Sequence, residues 1–431
     1  MNDHDSLWQK STDMPRREAL SGDLKADAAV IGAGMAGVLI ADALEQKGLR
    51  TVVLEARRIG SGQTAHTTAK ITCQHGLVYH GLIERLGHES AQQYAQANLS
   101  AIGAYKQLIN SREIDCAFRE APAYLYSCLD PAPLQQEAEA AASLGIDAQF
   151  TRDTELPFPI AGAVRFSGQA VFHPLRFLRA VSADLEIYEH TPVLSIDGNT
   201  LHTPSGEVYA HHIIFACHFP FVNVPGWYFM RMHQERSYVL ALDHAWTPDG
   251  AYYSADPAGL SLREAEGYLL LGGENHRTGE NTRGGRYETL RGQAAELFPG
   301  SHEVARWSAQ DCMTLDGLPY IGPFAASTPS WYIATGFGKW GMTASMVAAR
   351  LIADTICGRP PAWAEVFSPS RFDLSASASK LATETAQAFK GLTREIFMPP
   401  QAALDELPAG HGGIVDAQGQ KAAVYKTEDG H

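Results

Sequence analysis

Gly32, Gly34 and Gly37 stand at the spacing G-x-G-x-x-G, and an acid, Glu55, follows further along the chain. Each glycine has its own mechanical use: Gly32 permits a tight turn, Gly34 lets the backbone approach a pyrophosphate, and Gly37 lets a helix pack closely on a strand. A carboxylate at the position of Glu55 accepts both hydroxyls of an adenosine ribose and repels a 2′-phosphate. The chemistry implied is dinucleotide binding; the competing reading of such a fingerprint is a βαβ turn that only packs. The glycines alone do not separate NAD from FAD.

The elements needed to place these residues are legible around them. Residues 28–31 form a short apolar strand, a helix begins near Met35, and 51–54 form a second buried strand that ends on Glu55. Strand, turn, helix, strand and acid fall in register, which favours the dinucleotide reading over the packing turn. A second glycine turn, Gly336-Phe337-Gly338-Lys339-Trp340-Gly341-Met342-Thr343, follows a strand at 331–334 and opens a helix at 344–357. Free amides at a helix start attract anions.

Between the two turns, 60–68 reads as a Gly/Ser/Thr-rich loop, 82–109 as a helix, 124–127 as a strand and 131–144 as a helix. A strand and helix follow over 164–181, with His173-Pro174 capping the helix. Short strands at 191–196, 201–204, 207–210 and 212–217 suggest a meander, and those at 238–242, 251–254 and 268–272 an antiparallel sheet. Residues 316–323, DGLPYIGP, read as a loop. Beyond Pro361 the chain turns polar, with one amphipathic helix expected and no internal repeat.

The 431 residues carry a net charge of −14 spread along the chain, which argues against nucleic acid or an anionic membrane as partner and favours a small neutral or cationic substrate. The six cysteines have no C-x-x-C pair and no metal-ligand spacing, so no metal site and no disulfide framework is expected, and a reducing cytoplasm is the expected location. The first residues lack the apolar core of a secretory signal, and no stretch reaches the ~20 apolar residues of a membrane span.

The two glycine turns, with DGLPYIGP ahead of the second, resemble the D-amino-acid oxidase superfamily of FAD-dependent oxidoreductases, which includes glycine, sarcosine and γ-glutamylputrescine oxidases. The resemblance covers residues 25–357 and implies an α/β fold: a discontinuous Rossmann-type FAD domain from 1–78, 160–225 and 305–365, and an α+β antiparallel-sheet substrate domain from 79–159 and 226–304. Residues 366–431 form a tail. It puts Gly32, Ala33, Gly34, Met35 and Ala36 on the pyrophosphate, Glu55 on the ribose, Val193 on the adenine through its backbone, and Gly336 to Thr343 at the pyrimidine end of the flavin. Gly37, Ala56, Gln63, Thr64 and Ala216 join the cofactor-binding set. A NAD dehydrogenase has no use for the second turn and is the weaker alternative.

His66 matches the position of a histidine bonded covalently to flavin in dimethylglycine-dehydrogenase-type relatives; the expectation is a loop histidine near the ribityl chain without that bond. Cys312, too close to Asp316 to match a covalent cysteine, is expected to be an ordinary thiol. Where amino-acid-oxidising relatives carry an arginine that grips the substrate carboxylate, this chain has Asp311. Either it attracts a cationic amine with no required carboxylate, or it caps a loop or pairs with a basic residue such as Lys339.

The implied activity is oxidation of a C–N bond of an amine or amino acid to an imine by hydride transfer to FAD, with oxygen or an electron carrier as acceptor. His75 or His276 is the expected proton helper, and Lys70 and Lys339 stand at the flavin edge. The alternative is an electron-relay or assembly flavoprotein without amine turnover. The segments GSGQTAHTTAKITCQHGL, YYSADPAGLSLR, GGENHRTG and GFGKWGMT are similar to a bacterial subgroup with a C-terminal Rieske domain, whose opening strands the tail GGIVDAQGQKAAVYKTEDGH resembles. The Cys and His ligands of such a cluster do not occur in the tail, so no cluster is expected in this sequence.

Overall fold

The computed structural model describes residues 5–279 and 284–371, the strand residues 402–403, 412–417 and 420–425, and residue 427. Two compact units form, one from Met1–Thr278 and Arg286–Phe372, the other from Gly279–Gly285 and Asp373–His431. In the second, Gly412–Ala417 pairs antiparallel with Gln420–Tyr425. The amphipathic helix expected beyond Pro361 falls outside the described residues, apart from the turn Ala364–Phe367.

The first sheet is organised around the ten-residue strand Gly206–Phe215. Leu24–Ile31 runs parallel along one side of it and carries Thr51–Leu54 and then Glu186–Tyr188. On the other side Thr200–Thr203 pairs with its first half and Trp331–Thr335, in parallel, with its second. Strands buried on both faces read as unbroken apolar runs, as 28–31 and 52–54 do. Leu24–Ile31 and Trp331–Thr335 both run parallel to Gly206–Phe215, so both glycine turns leave the same edge of the sheet, where open α/β sheets bind ligands. The helices they open, Met35–Gln46 and Gly341–Ile356, pack on each other.

The second sheet has eight strands, in the order His302–Thr314, Met232–Asp243, Tyr268–Arg277, Ser261–Ala265, Ala251–Ser254, Ala123–Ser127, Gly162–Phe166 and Ala148–Thr151. Every pair is antiparallel except Ala251–Ser254 with Ala123–Ser127. Gly162–Phe166 and residues 305–314 of His302–Thr314, which the sequence reading assigns to the cofactor segments, pair in this second sheet. The latter pairs with Met232–Asp243 over its whole length, yet its residues are mostly half-buried and give no clean alternation to read.

Other differences have nonlocal causes. The strands expected at 207–210 and 212–217 are one strand, because Leu24–Ile31 supports it from Val208 to Phe215. Residues 191–194 are not strand; Thr191 instead donates its amide to the Glu55 carbonyl at 2.8 Å. The helical stretch Tyr79–Ser111 breaks at Gly87, whose φ is 78°, and its first part starts earlier than expected, at Tyr79, because the buried Glu137 carboxylate accepts the amides of Val78, Tyr79 and His80 and caps it from another helix. Residues 320–323 form a strand against Trp331–Thr335 rather than a loop. The first compact unit also continues past the expected boundary at 366: Phe367 is buried, and Arg371 binds the Asp316 carboxylate at 2.9 Å. The expected cap at His173 is present, its Nδ1 accepting the Arg176 amide at 3.2 Å.

Candidate active site

At the edge where the glycine turns leave the first sheet lies a cleft of about 490 Å³. Gly32, Gly34, Met35 and Ala36 line it from the first turn, Glu55 and Ala56 from the end of the next strand, and Gln63 and Thr64 from the short helical turn Gln63–His66. Val193 and Ala216 close one side, and Gly336, Phe337, Gly338, Lys339, Gly341 and Met342 another.

Gly32 has a φ of 105°, and a Cβ there would stand 2.7 Å from the Ala216 carbonyl oxygen. A Cβ at Gly37 would lie 1.9 Å from the Gly32 carbonyl, so this glycine seats the helix against its own turn. Gly34 is the helix N-cap and offers no side-chain cap, which leaves that end open to the cleft. Thr64 Oγ1 takes one helix donor, the Met35 amide, at 2.9 Å. Glu55 is fixed by the amides of Ala33 and Arg57, each donating to one carboxylate oxygen at 2.8 Å. Each oxygen keeps acceptor capacity for a ribose hydroxyl.

Ala33, Gly37, Trp340, Thr343 and His66 do not line the cleft. Ala33 and Gly37 act through Glu55 and Gly32, as above. Thr343 exchanges hydrogen bonds with the Thr72 backbone, 2.8 and 2.9 Å, tying the second helix to the strand Lys70–Ile71. Trp340 and His66 line an adjoining cavity of about 80 Å³, together with Lys70, Tyr238, Tyr253 and Ser261.

Five residues, Thr67, Ala309, Asp311, Lys339 and Met342, face both cavities. Asp311 lies on the strand His302–Thr314, directly across from Glu235, so the loop-cap reading is corrected: a mid-strand residue has no loop to cap. The expected Lys339 partner also differs, since Lys339 Nζ pairs with Glu235 at 3.4 Å. Burial pushes the Asp311 carboxyl up to about 7; the Lys339 charge opposes this and the Glu235 charge adds to it. Glu235 itself is held below the usual carboxylate range, first by a hydrogen bond from His233. Neither Glu235 nor the aromatic wall of Tyr238 and Tyr253 was anticipated, because cross-strand register leaves no local signal.

His75 and His276 line neither cavity. His75 is buried, its Nδ1 bonded to the Tyr94 hydroxyl at 2.7 Å and its Nε2 to the Thr72 carbonyl at 2.8 Å. Burial pushes it down to about 4, so it is neutral near pH 7 and braces Trp340 by a 5.0 Å stack. His276 stacks on Tyr238 at 5.8 Å, with Nδ1 against the Glu274 carbonyl. Cys312 lines the cleft as a thiol that burial pushes up to about 12, which makes it a poor nucleophile.

This chain belongs to the FAD-dependent oxidoreductases of the DAO family, whose signature matches residues 27–355. YhfW of Bacillus subtilis, a protein named for a Rieske 2Fe-2S centre, is 35% identical over 444 residues, covering 99% of this chain and 87% of YhfW. Glycine oxidase of Pseudomonas aeruginosa is 24% identical over 369 residues, 77% of this chain and 95% of that enzyme. Among solved structures, glycine oxidase from Geobacillus kaustophilus superposes with a TM-score of 0.69 at 19% identity, over 81% of this chain and 100% of that one. L-Amino acid deaminase from Proteus myxofaciens, in complex with anthranilate, gives 0.68 at 15% identity over 84% and 97%. The cofactor is FAD, and the NAD alternative falls. The uncapped helix end at Gly34 and the fixed Glu55 carboxylate fit it. Among the described residues no helix is long and apolar enough to cross a membrane, and no group of three or more His, Cys, Asp or Glu residues could hold a metal.

His66 faces the smaller cavity, its Nδ1 bonded to the Gly62 carbonyl at 2.8 Å. Acid precipitation is therefore expected to release most of the FAD. Flavin fluorescence that stays with the denatured protein, and is lost in His66→Ala, would contradict this.

Proposed function

We propose that the protein oxidises a C–N bond of a small amine or amino acid to an imine, which water hydrolyses to a carbonyl compound. The observation that carries this reading is the position of Asp311, on the wall shared by the FAD cleft and the smaller cavity. FAD supplies the two-electron acceptor for the hydride. The residues of the chain supply the rest: Gly32, Gly34, Met35 and Ala36 take the pyrophosphate, Glu55 the ribose, Val193 the adenine, and the turn from Gly336 to Met342 the pyrimidine end. There the start of the helix Gly341–Ile356 favours negative charge.

A substrate ammonium must lose a proton before its lone pair can drive hydride out of the adjacent C–H bond. A carboxyl that titrates near neutrality is matched to that task. Asp311 holds the ammonium and accepts its proton; Lys339, neutralised by Glu235, keeps the pair oriented. Tyr238, Tyr253 and Trp340 make an apolar wall that excludes water from the reacting carbon. The likeness to YhfW over almost the whole chain supports an electron carrier rather than oxygen as acceptor. The same likeness supports a second reading, a flavoprotein relay without amine turnover. Free cysteines are consistent with a cytoplasmic location. Incubating the FAD-loaded protein with amines and amino acids, and assaying the carbonyl product, tests the proposal; no product from any of them contradicts it and favours the relay.

A further inference from the structure

Asp311 in place of an arginine leaves the cavity with no guanidinium on its wall, but not without a cation. Lys70 lines the cavity from the strand Lys70–Ile71, which is held by pairing with Ala170–Val171. Its Nζ donates to Ser261 Oγ and stands 5.8 Å from the Tyr253 ring centroid. Among the described residues no carboxylate pairs with it. The nearby charges are also positive: Arg263 and Lys339 join burial in pushing Lys70 down to about 7. Arg263 is committed to the backbone, donating to the carbonyls of Thr68 and Ala69 and so fastening the segment that presents Lys70. Lys339 is committed to Glu235.

A desolvated ammonium with cationic neighbours and no counter-anion is costly, and an anion brought by a ligand removes the cost. Ser261 adds directionality: its oxygen accepts from Lys70, so its hydroxyl hydrogen is left to donate. We propose that Lys70 and Ser261 form the carboxylate-binding subsite of this cavity, on a different element from Asp311, so that the substrate is an amino acid bridging the two. This rests on the oxidation reading above and sharpens it. The cationic amine without a carboxylate, expected from Asp311 alone, is replaced by a zwitterion with its ammonium at Asp311 and its carboxylate at Lys70.

The test titrates FAD-loaded protein with benzoate, anthranilate and aniline, following perturbation of the flavin absorption band. Native protein binds benzoate and anthranilate, and aniline more weakly. Lys70→Met weakens both carboxylates roughly ten- to hundredfold, the usual range for a charge-assisted hydrogen bond, leaves aniline unchanged and keeps full FAD content. Lys70→Arg retains most of the affinity. Should Lys70→Met fail to fold with FAD, Ser261→Ala decides, with a several-fold loss confined to the carboxylates. Equal benzoate affinity in native and Lys70→Met protein, or aniline bound by native protein as tightly as anthranilate, overturns the proposal. The binding assay needs no turnover, so the two readings fail separately. Benzoate bound through Lys70 in a protein that no amine reduces refutes the oxidation and keeps the subsite. Reduction by carboxylate-free amines as readily as by amino acids keeps the oxidation and refutes the subsite.

Discussion

Gly34→Leu yields a folded protein that purifies without FAD, with cofactor affinity lowered at least about a thousandfold. A Cβ at this position meets only Thr64 Oγ1, at 3.3 Å, and the backbone φ of −81° suits any residue. The new side chain extends into the cleft where the helix end is open, so the loss falls on the ligand and not on the fold. Gly37→Ala is the contrasting variant. Its Cβ would sit 1.9 Å from the Gly32 carbonyl, a backbone atom that cannot rotate aside, so the turn itself must move. Overpacking of this kind costs about 1–3 kcal/mol or more. FAD binding adds its own stabilisation, so the melting comparison must use cofactor-free forms of all three proteins. Gly34→Leu should then melt with the native chain and Gly37→Ala well below it. Normal FAD content in Gly34→Leu would remove the first glycine turn from the cofactor site.

Asp311→Asn should lower kcat/KM for the preferred substrate by about 10²–10⁴, the usual contribution of a positioned general base, while FAD content stays at one per chain. In the native protein the rate should rise as pH increases through about 7, where Asp311 becomes ionised. In the variant that limb is absent and the remaining dependence follows the substrate amine. The same carboxyl makes a stability prediction. Its pKa is raised on folding, so ionising it costs the folded state as pH climbs from the usual carboxylate range through about 7. The cofactor-free Asn variant should therefore gain in melting temperature over the native chain at pH 8, and much less at pH 5. Unchanged kinetics and an unchanged pH profile would make Asp311 structural.

What could be read from sequence was whatever the chain encodes locally. The glycine turn, the apolar strand 28–31 and Glu55 lie within one stretch, and each residue type is tied to a backbone requirement; the second turn at Gly336 is legible for the same reason. The smaller cavity was much less so. Asp311 was singled out for its chemistry but misplaced in a loop, because the half-buried strand His302–Thr314 shows no alternation. Glu235 becomes relevant only through the register that sets it across from Asp311. His75 looked like a proton carrier; only its two partners, Tyr94 and Thr72, mark it as a brace for Trp340. Lys70 reads from sequence as a flavin-edge cation, and that no carboxylate among the described residues pairs with it emerges only when the strand Ser261–Ala265 is folded beside it.

In the proposed function this FAD protein takes electrons from a C–N bond. Its most direct test is anaerobic addition of candidate amines and amino acids to the yellow, FAD-loaded protein while the flavin band is followed. At least one amino acid should bleach the band stoichiometrically, a carbonyl product should appear in equal amount, and Asp311→Asn should bleach far more slowly at the same FAD content. A flavin band that survives every amine and amino acid, in protein that a chemical reductant still bleaches, would contradict it.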